Sequence, residues 1–324
     1  MAILVTGGAG YIGSHMVYAL MEGGAEKVIV LDDLSVGHRA ALHPAATFYH
    51  GDIRDRAALD QLFGREKIQG VIHFAANSQV GESMKAPLKY YDNNLGGTTT
   101  LLQAMVAAGV RDIVFSSTAA VYGEPEKVPI QEEDPTLPTN CYGETKLAIE
   151  RMMAWVSGAH NLRFAALRYF NAAGAHPSGK IGEAHNPETH LVPLILQVAK
   201  GERAHISVFG DDYPTRDGSC VRDYIHVMDL AQAHILALEY LQGGGENAVF
   251  NLGNGVGFTV YEVIDMVREV TGHPIPLQAA PRRPGDPAQL IASAEKARRH
   301  LGWEPKCSDL KTIVESAWNW HKNT

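Results

Sequence analysis

A glycine-rich turn close to the start of the chain restricts the fold more than any other feature of the sequence. Residues 6–13 read Thr-Gly-Gly-Ala-Gly-Tyr-Ile-Gly, directly after an apolar run and before a segment of helical periodicity. The glycines give both a G-x-G-x-x-G and a wider G-x-x-G-x-x-G spacing; they are Gly7, Gly8, Gly10 and Gly13. Glycine lets the backbone approach a pyrophosphate closely, and the N-terminus of the next helix offers it free N–H groups. The turn therefore predicts a dinucleotide-binding site.

An acidic residue stands where such a site needs one. Asp32 ends the second predicted strand, 19 residues after Gly13, where a carboxylate accepts hydrogen bonds from an adenosine ribose. A 2′-phosphate would meet the like charges of Asp32 and Asp33, so the sequence favours NAD over NADP. Asp52 and Ile53 end the third predicted strand; they either flank the adenine or form an ordinary turn, and the sequence leaves both interpretations open.

The first half of the chain alternates short apolar runs with longer helical patterns. The predicted strands are Ala2–Thr6, Lys27–Leu31, Thr47–His50, Gly70–Ala75, Asp112–Ser117 and Arg163–Tyr169. The predicted helices among them are Ile12–Glu22, Arg56–Phe63, Leu88–Ala108 and Cys141–Val156. Nearly continuous apolar strands are typical of a parallel sheet covered on both faces. The alternation predicts an α/β fold with a doubly wound, Rossmann-type parallel sheet.

The regular alternation of strand and helix patterns ends after residue 171. Residues 172–190 are rich in Gly, Pro, His and Asn. Helical patterns then return, separated by short runs such as Ala248–Leu252; they are Leu191–Lys200, Val227–Leu241, Val260–Val270 and Leu310–His321. We expect an NAD-binding domain over residues 1–171 and a smaller α/β substrate-binding lobe over residues 172–324, at the carboxyl ends of the strands. This boundary is approximate, and segments of the two can interleave.

The composition excludes several classes of protein. The 324 residues carry 28 Lys and Arg against 36 Asp and Glu, a net charge of −8, so neither nucleic acid nor an anionic membrane is an expected partner. No apolar run approaches the roughly 18 residues of a membrane helix, and the N-terminus lacks the basic region of a signal peptide. The three scattered cysteines indicate reduced thiols, and we expect a cytoplasmic protein.

The histidines do not predict a metal site. All fifteen are dispersed, and neither H-E-x-x-H nor C-x-x-C occurs, so we expect no bound metal. His73 and His226 lie within apolar runs, where a core histidine with satisfied hydrogen bonds is the ordinary case.

A tyrosine and a lysine lie four residues apart in the fourth predicted helix. Four residues rise by about 6 Å, so Tyr142 and Lys146 share one face. A phenol is a poor base at neutral pH, but a nearby ammonium favours the phenolate and lowers its pKa. Alone such a pair is often a surface accident; with the dinucleotide turn it predicts a proton-transferring tyrosine. By chemistry alone Ser116, Ser117 or Thr118 could supply a hydroxyl beside it.

Further stretches along nearly the whole chain match one branch of nucleotide-binding enzymes. They are Val71–Ala75, Val80–Ser83, Tyr90–Asn94, Ser116–Thr118, Val121–Gly123, Arg168–Asn171, Gly174–Gly179, Phe209–Pro214, Val221–Asp229, Asn251–Gly253 and Pro281–Asp286. With the turn and the Tyr-x-x-x-Lys pair, the chain resembles the extended short-chain dehydrogenase/reductase superfamily. More specifically, it is similar to the UDP-glucose 4-epimerase family, also called UDP-galactose 4-epimerase. The stretches are specific for the sugar-nucleotide branch and less so for one sugar.

The resemblance implies an isomerase of galactose metabolism that inverts C4 of a UDP-sugar through a transient 4-keto sugar, with tightly held NAD. Tyr142 would take the proton of the sugar 4-hydroxyl. Lys146 would bind the nicotinamide ribose and lower the Tyr142 pKa, while Thr118 would bridge the 4-oxygen and the tyrosine. The implied NAD contacts are Gly7, Gly10, Tyr11, Ile12, Gly13, Asp32, Asp52, Ile53, Phe74, Ala75, Ala76, Asn93, Tyr142, Lys146 and Tyr169.

The resemblance also implies a set of contacts to the UDP-sugar. They are Thr118, Tyr142, Asn171, His190, Leu191, Phe209, Arg222, Arg283 and Asp286. The two arginines and Asn171 would hold the diphosphate, which suits the paired N–H groups of a guanidinium. Phe209 would lie near the uracil, and Asp286 on its ribose. His190 stands where some members carry Asn; it either donates to a phosphate oxygen or caps the next helix.

Two departures from the family pattern bear on cofactor and substrate. Ser78 stands where many members carry a Lys that contacts the cofactor, which indicates a changed contact rather than a lost activity. Leu290 stands where the family carries a bulky Tyr or a small Cys beside the C2 substituent. Leucine is intermediate in size between Tyr and Cys. UDP-hexoses, N-acetylated UDP-sugars and UDP-pentoses therefore all remain candidate substrates.

Other functions compete with the epimerase. Nucleotide-sugar dehydratases resemble this chain but carry Asp-Glu where Ala119 and Ala120 stand, and methyl groups cannot move protons. A non-catalytic NAD-sensing protein on the same fold is a third hypothesis, but both Tyr142 and Lys146 are present. Family members are commonly homodimers joined by two helices per subunit, which the segments 88–108 and 141–156 could provide.

Overall fold

The strands of this chain follow the predicted apolar runs. The computed structural model describes residues 2–283 and 286–324, so Pro284 and Gly285 of the matching stretch Pro281–Asp286 lie outside the described residues. The strands are β1 (Ala2–Thr6), β2 (Lys27–Asp32), β3 (Thr47–His50), β4 (Ile68–His73), β5 (Asp112–Ser116), β6 (Arg163–Tyr169), β7 (Asn171–Ala173), β8 (Ile206–Phe209), β9 (Val221–Arg222), β10 (Tyr224–His226), β11 (Ala248–Leu252), β12 (Phe258–Thr259), β13 (Leu277–Ala280) and β14 (Gln289–Leu290).

Seven strands form one parallel sheet in the order β11-β6-β5-β4-β1-β2-β3. All six strands predicted in the first half are present, with ends that agree to within two residues. The direction of winding changes at β1, which pairs with β2 on one side and β4 on the other. Ligands of doubly wound sheets bind in the crevice at this position. The prediction of a Rossmann-type sheet is confirmed.

Both faces of the sheet are buried, which explains why its strands are apolar throughout. Along β1, Ile3 and Val5 point into one core, while Ala2 and Leu4 point into the other. The first core also holds side chains of the helix that follows the glycine turn, such as Met16. Alternate residues therefore serve opposite cores, and the sheet needs helices on each side.

The helices complete the two outer layers and the smaller lobe. They are α1 (Tyr11–Glu22), α2 (Arg56–Arg65), α3 (Val80–Ser83), α4 (Pro87–Tyr90), α5 (Gly97–Ala108), α6 (Cys141–His160), α7 (Leu191–Ala199), α8 (Val227–Gln242), α9 (Val260–Thr271), α10 (Glu295–Leu301) and α11 (Leu310–His321). Seven of the eight predicted helices are present, and α11 has the predicted bounds.

The prediction of one helix over Leu88–Ala108 was wrong. A π-helical turn at Tyr91–Gly96 separates α4 from α5. Within the turn, Asn94 Oδ1 accepts from the Asn77 N–H at 2.8 Å, and its Nδ2 donates to the Asn77 carbonyl at 3.0 Å. The extra residue in this turn brings the Asn94 amide onto the loop after β4, an arrangement that often marks a functional site.

Two elements that follow residue 171 belong to the large sheet. Strand β11 pairs with β6 in parallel, and Phe250 and Leu252 are fully buried in the same core as Met16. Helix α8 adds Leu230 and Leu238 to that core. The interleaving that the sequence allowed is therefore present, because these apolar segments complete the layer beside α1.

Helix α10 also packs in that first core, through Ala297 and Leu301, whereas most other elements after residue 171 form the smaller lobe around a core of their own. Helices α7, α9 and α11 contribute Ile195, Ile264 and Ile313 to this core, and β8 contributes Val208. A capping box at Thr259 starts α9, since its side chain and that of Glu262 satisfy each other's backbone N–H groups.

Two findings within the described residues relate to the composition. Cys141, Cys220 and Cys307 are free thiols, and the compartment stays a prediction. Among the helices that the structure describes, none combines the length and the apolar character needed to cross a bilayer.

Candidate active site

A cavity of about 1210 Å³ lies at the carboxyl ends of the large sheet and continues to the smaller lobe. Every residue that the sequence predicted for cofactor and substrate lines it. The set runs from Gly7, Gly10, Tyr11, Ile12, Gly13 and Asp32 through Asp52, Ile53, Phe74, Ala75, Ala76, Asn93, Thr118, Tyr142, Lys146 and Tyr169 to Asn171, His190, Leu191, Phe209, Arg222, Arg283 and Asp286. Ser78 and Leu290 line it as well.

The glycine turn forms one end of the cavity, and two of its glycines have no room for a side chain. Gly7 has φ +73°, and a Cβ there would lie 2.6 Å from the Ala75 backbone N. A Cβ on Gly13 would lie 2.1 Å from the Gly7 carbonyl oxygen. Gly10 precedes α1 without a capping side chain, so the first N–H groups of the helix face an incoming anion. This geometry fits a pyrophosphate.

Asp32, the last residue of β2, contacts the glycine turn. Its carboxylate is buried and accepts from the Ala9 N–H at 2.9 Å and from the Leu34 N–H at 2.8 Å. Burial raises the pKa of Asp32, and the two backbone hydrogen bonds act against that rise. A carboxylate offers about four acceptor sites, so two remain for a ribose diol.

The residues expected around an adenine lie just after β3. The Asp52 carboxylate binds Arg54, whose guanidinium lies 2.6 Å from it. Ile53 packs closely on Gly97, where a Cβ would meet its Cδ1 at 2.6 Å. The structure therefore gives Asp52 a partner of its own and leaves Ile53 as an apolar wall of the cavity.

Helix α6 brings the tyrosine and the lysine to the middle of the cavity. Asn140 caps it by accepting from the Gly143 N–H at 2.8 Å, so Tyr142 lies in the first turn. The Lys146 ammonium lies 5.8 Å from the centre of the Tyr142 ring and donates to the Ser116 carbonyl at 2.7 Å. Thr118 follows β5, and its hydroxyl oxygen accepts from the Ala120 N–H at 3.1 Å.

The protonation of this pair differs from the expectation. Burial raises the pKa of Tyr142 to about 12, and a hydrogen bond from Thr118 acts against that rise. Burial also lowers the pKa of Lys146 to about 7, with the Glu150 carboxylate acting in the opposite direction. The expected lowering of the tyrosine pKa by Lys146 is therefore not seen in the protein alone, because the ammonium is turned to a backbone carbonyl and is itself desolvated.

Sequence reasoning missed a buried polar network behind the tyrosine and lysine. Glu150, one turn beyond Lys146, accepts from the Ser117 hydroxyl at 2.5 Å and forms a two-point pair with Arg168 at 2.5 and 3.0 Å. Arg168 also donates to the Tyr122 hydroxyl at 2.8 Å. The network ties α6 to the strand end that carries Ser116 and Thr118. The spacing Lys146-x-x-x-Glu150, on one helix face, was the signal that could have indicated it.

At the far end of the cavity, the predicted diphosphate and uridine residues contact one another. Arg222 forms an ion pair with Asp286. The Arg283 guanidinium lies over the Phe209 ring, 4.1 Å from its centre. Leu290 lies opposite Arg222 in the pairing of β14 with β9. Both arginines are thus held by side chains that a ligand would have to displace.

His190 precedes α7, but its side chain does not cap the helix. Its Nδ1 lies 2.7 Å from Glu183 and 3.0 Å from Glu188. The capping alternative for this residue was therefore wrong, because two carboxylates hold the ring instead.

The two histidines expected in the core are confirmed there. His73 contacts the hydroxyls of Thr6 at 2.7 Å and Thr98 at 2.9 Å. His226 contacts the Ser316 hydroxyl at 2.9 Å, and its Nδ1 accepts from the Met228 N–H. Burial lowers the pKa of His73 to about 3 and that of His226 to about 4, so both rings are neutral.

Comparisons with known proteins agree with this geometry. The model of the NAD dependent epimerase/dehydratase family matches residues 3–253. A protein of Halalkalibacterium halodurans named UDP-glucose 4-epimerase is 64% identical over 322 residues, which cover 99% of this chain and 96% of the relative. A solved structure of a UDP-glucose 4-epimerase is 57% identical, with a TM-score of 0.98 over 100% of this chain and 98% of that one.

A further solved structure contains ligands. It is a UDP-glucose-4-epimerase from Stenotrophomonas maltophila with bound NAD and formylated UDP-arabinopyranose, 43% identical, with a TM-score of 0.96 over 100% of this chain and 98% of that chain.

The buried lysine predicts a specific dependence of stability on pH. The folded chain releases the Lys146 proton near pH 7 and the unfolded chain near the ordinary 10.5, so the unfolded state binds more protons in that window. Wild-type stability should therefore rise with pH, relative to Lys146→Met, by at most about 1.4 kcal/mol per pH unit. Urea unfolding of both proteins from pH 7 to 10, at equal nucleotide content, measures this difference.

The exposed Lys85 provides the control for this measurement. The unfolding free energy of Lys85→Met should change with pH in parallel with that of the wild type from pH 7 to 10. Because its pKa is raised, Tyr142 affects the pH dependence of stability only above pH 10, and all three proteins contain it. Parallel curves for wild type and Lys146→Met would refute a neutral buried lysine.

Proposed function

This chain belongs to the NAD dependent epimerase/dehydratase family, and on that premise we propose that it inverts C4 of a UDP-sugar with tightly bound NAD, interconverting UDP-glucose and UDP-galactose. One observation carries the proposal. A single cavity joins the glycine turn, the Tyr142–Lys146 pair and the two arginines of the smaller lobe. A dinucleotide and a nucleotide sugar can therefore meet at one tyrosine.

The residues at the sheet end fit NAD. The turn has no room for side chains at Gly7 and Gly13, which leaves its backbone N–H groups for the pyrophosphate. Asp32 retains acceptor sites for the adenosine ribose and would repel a 2′-phosphate. When bound, NAD supplies a hydride acceptor that later returns the hydride, and its oxidised ring adds positive charge to the site.

Tyr142 is the proposed acid–base residue. Its hydroxyl would accept the proton of the sugar 4-hydroxyl and later return it. With a pKa near 12 in the protein alone, the phenol needs positive charge beside it to serve at neutral pH. Lys146 can supply that charge by turning from the Ser116 carbonyl, and the Thr118 hydroxyl acts against the rise of the tyrosine pKa.

Arg222 and Arg283 are the proposed diphosphate contacts. Arginine holds phosphate oxygens through paired N–H groups, and each of these two has a partner that a ligand can replace. If the diphosphate takes the place of Asp286 on Arg222, that carboxylate becomes available for a ribose hydroxyl. If Arg283 moves off Phe209, the ring face becomes available to the uracil.

The cavity wall supports an epimerase over a dehydratase. Ala119 and Ala120 line the cavity at the positions where elimination would need an acid and a base. The same wall does not separate one UDP-sugar from another, since Leu290 beside Arg222 is of intermediate size. UDP-pentoses and N-acetylated UDP-hexosamines are therefore the alternative substrates.

An isotope experiment tests the reaction. With UDP-glucose that carries deuterium at C4, in ordinary water, the UDP-galactose formed should retain the deuterium at C4. The reason is that the hydride leaves and returns within one complex. NMR of the product measures the label and the configuration, and UDP-GlcNAc and UDP-xylose in parallel reveal the preferred sugar. Loss of deuterium to the solvent would contradict the proposal.

The same assay tests the tyrosine. Tyr142→Phe should lower kcat by roughly 10²–10⁴-fold, because the proton acceptor is lost, while bound NAD stays at the wild-type level. Tyr261→Phe, in α9, is the matched control and should keep full turnover. Near-normal turnover in Tyr142→Phe would remove this residue from the chemistry.

Two neighbouring arginines test the substrate site. Arg283→Ala should raise KM for the UDP-sugar by roughly 10-fold or more, the loss of a charged hydrogen bond, with NAD retained. Arg282→Ala is the matched control, since Arg282 lies over Tyr213 and pairs with Asp212. Equal effects of the two substitutions, or parallel loss of NAD, would place the diphosphate elsewhere.

We propose that the protein is a homodimer joined through the segments 88–108 and 141–156. Exposed apolar side chains on both segments support this: Leu88 is 81% exposed and Trp155 is 83% exposed. Leu88 lies in α4 and Trp155 in α6, and contact between two copies of these segments, which include α5, would bury both side chains. Large exposed apolar residues are common at such interfaces.

Light scattering with size-exclusion chromatography measures this assembly. The wild type should have the molar mass of two chains. Trp155→Asp should have the molar mass of one chain, because it places a charge in the contact. Val256→Asp, at a 67% exposed apolar residue outside both helices, should leave the dimer intact. A monomeric wild type would refute the proposal.

A further inference from the structure

Four side chains with metal-ligand chemistry converge just before α7. They are Glu183, His185, Glu188 and His190, and one ligand atom from each lies within 4.8 Å of all the others. The sequence argued against a metal because no known zinc motif occurs. These ligands follow instead the spacing E-x-H-x-x-E-x-H in an irregular segment, where only the fold shows that they meet.

Four of the separations within this cluster are close to the edges of a small coordination tetrahedron. Zinc–ligand distances of about 2.0–2.2 Å place neighbouring ligand atoms about 3.3–3.6 Å apart. The His185 Nδ1 lies 3.1 Å from Glu183 and 3.7 Å from Glu188. The His190 Nδ1 lies 2.7 Å from Glu183 and 3.0 Å from Glu188. These four separations lie near that range, and the other pairs of ligand atoms lie within 4.8 Å of each other.

The donor set and its charge favour one class of ion. Two imidazole nitrogens and two carboxylate oxygens suit zinc and similar divalent transition metals, whereas Mg²⁺ and Ca²⁺ prefer oxygen alone. The two carboxylates together neutralise a divalent charge. They are also buried, with the Glu183 and Glu188 side chains 4% and 6% exposed. Buried carboxylates require a positive partner.

The surrounding contacts hold the segment in place. The Ala184 carbonyl accepts from His38 Nε2 at 2.7 Å, and the Glu183 carbonyl accepts from Trp320 Nε1 at 3.3 Å. The His185 ring lies edge-on to Tyr11, the first residue of α1. The cluster thus connects the glycine turn with the start of α7, and all four of its residues line the cavity.

We propose that Glu183, His185, Glu188 and His190 form a structural site for a divalent transition metal, with Zn²⁺ as the fitting ion. Four protein ligands complete a tetrahedron and leave no open position for a catalytic water. The ion fixes the segment between the dinucleotide turn and the smaller lobe, so it stabilises the closed wall of the cavity. The competing state is a purely ionic cluster in which protonated histidines balance the carboxylates.

Zinc content of the full-length protein tests the site. After incubation with Zn²⁺ and desalting, the wild type should retain about one ion per chain by mass spectrometry. His185→Ala and Glu188→Gln should each weaken binding by at least about 100-fold, beyond the 10–100-fold typical of residues that only orient a ligand. His160→Ala removes an exposed histidine at the end of α6 and should bind zinc like the wild type.

Two further measurements separate the metal site from the ionic cluster. Co²⁺ should give the intense visible absorption of a tetrahedral site in the wild type and not in His185→Ala. Zinc should raise the thermal midpoint of the wild type and of His160→Ala but not that of His185→Ala, since binding to the folded state alone stabilises it. Absence of bound zinc in the wild type, or unchanged binding in His185→Ala, would overturn the proposal. None of these readouts depends on epimerase activity.

Discussion

All seven strands of the large sheet run in one direction, and the position of the active site follows from that. In a parallel sheet the carboxyl ends of all strands lie at the same edge. The segments that follow β1, β2, β4, β5 and β6 are therefore close together. The apolar character of both faces enforces this arrangement, because each connection must return across a covered face. The glycine turn, Asp32, Phe74, Thr118 and Tyr169 share one cavity for this reason.

Within that frame, the tyrosine depends on groups that do not touch a substrate. Lys146 is held by the carbonyl of Ser116, and Ser117 is held by Glu150. Glu150 is in turn fixed by Arg168 on β6. A buried ion pair with both members satisfied adds little to stability but resists any other arrangement, since loss of one partner leaves an uncompensated charge. The network therefore fixes the angle between α6 and the end of β5.

The sequence predicts the large sheet well because its signal is local. A strand covered on both faces is apolar throughout, and glycines before a helix have few other uses. The interrupted helix at Tyr91–Gly96 could not be predicted, since a π turn follows from the fit of Asn94 to the Asn77 backbone, which is a tertiary contact. The inclusion of β11 in the large sheet is likewise a matter of long-range pairing.

In the candidate site, too, local features could be predicted from the sequence and tertiary features could not. Spacing and resemblance placed Tyr142, Lys146 and Thr118 in one cavity, but the pKa shifts of Tyr142 and Lys146 could not be predicted, because burial is invisible in the sequence. The four-residue cluster at 183–190 was missed for a related reason. Its ligands lie in a segment without periodicity, so no helix or strand spacing indicated that they would meet.

The far end of the cavity indicates how the proposed substrate would be recognised. Arg222 is paired with the Asp286 carboxylate, and Arg283 is stacked on the Phe209 ring, so both guanidinium groups already have a partner in the free protein. A monophosphate or a lone sugar offers too few contacts to replace both partners. In the proposed complex a nucleoside diphosphate would replace both partners together, since its phosphates would bind the arginines while its ribose and base would contact the freed carboxylate and ring. Selectivity for the complete nucleotide would then come from the requirement that these exchanges occur in one binding event.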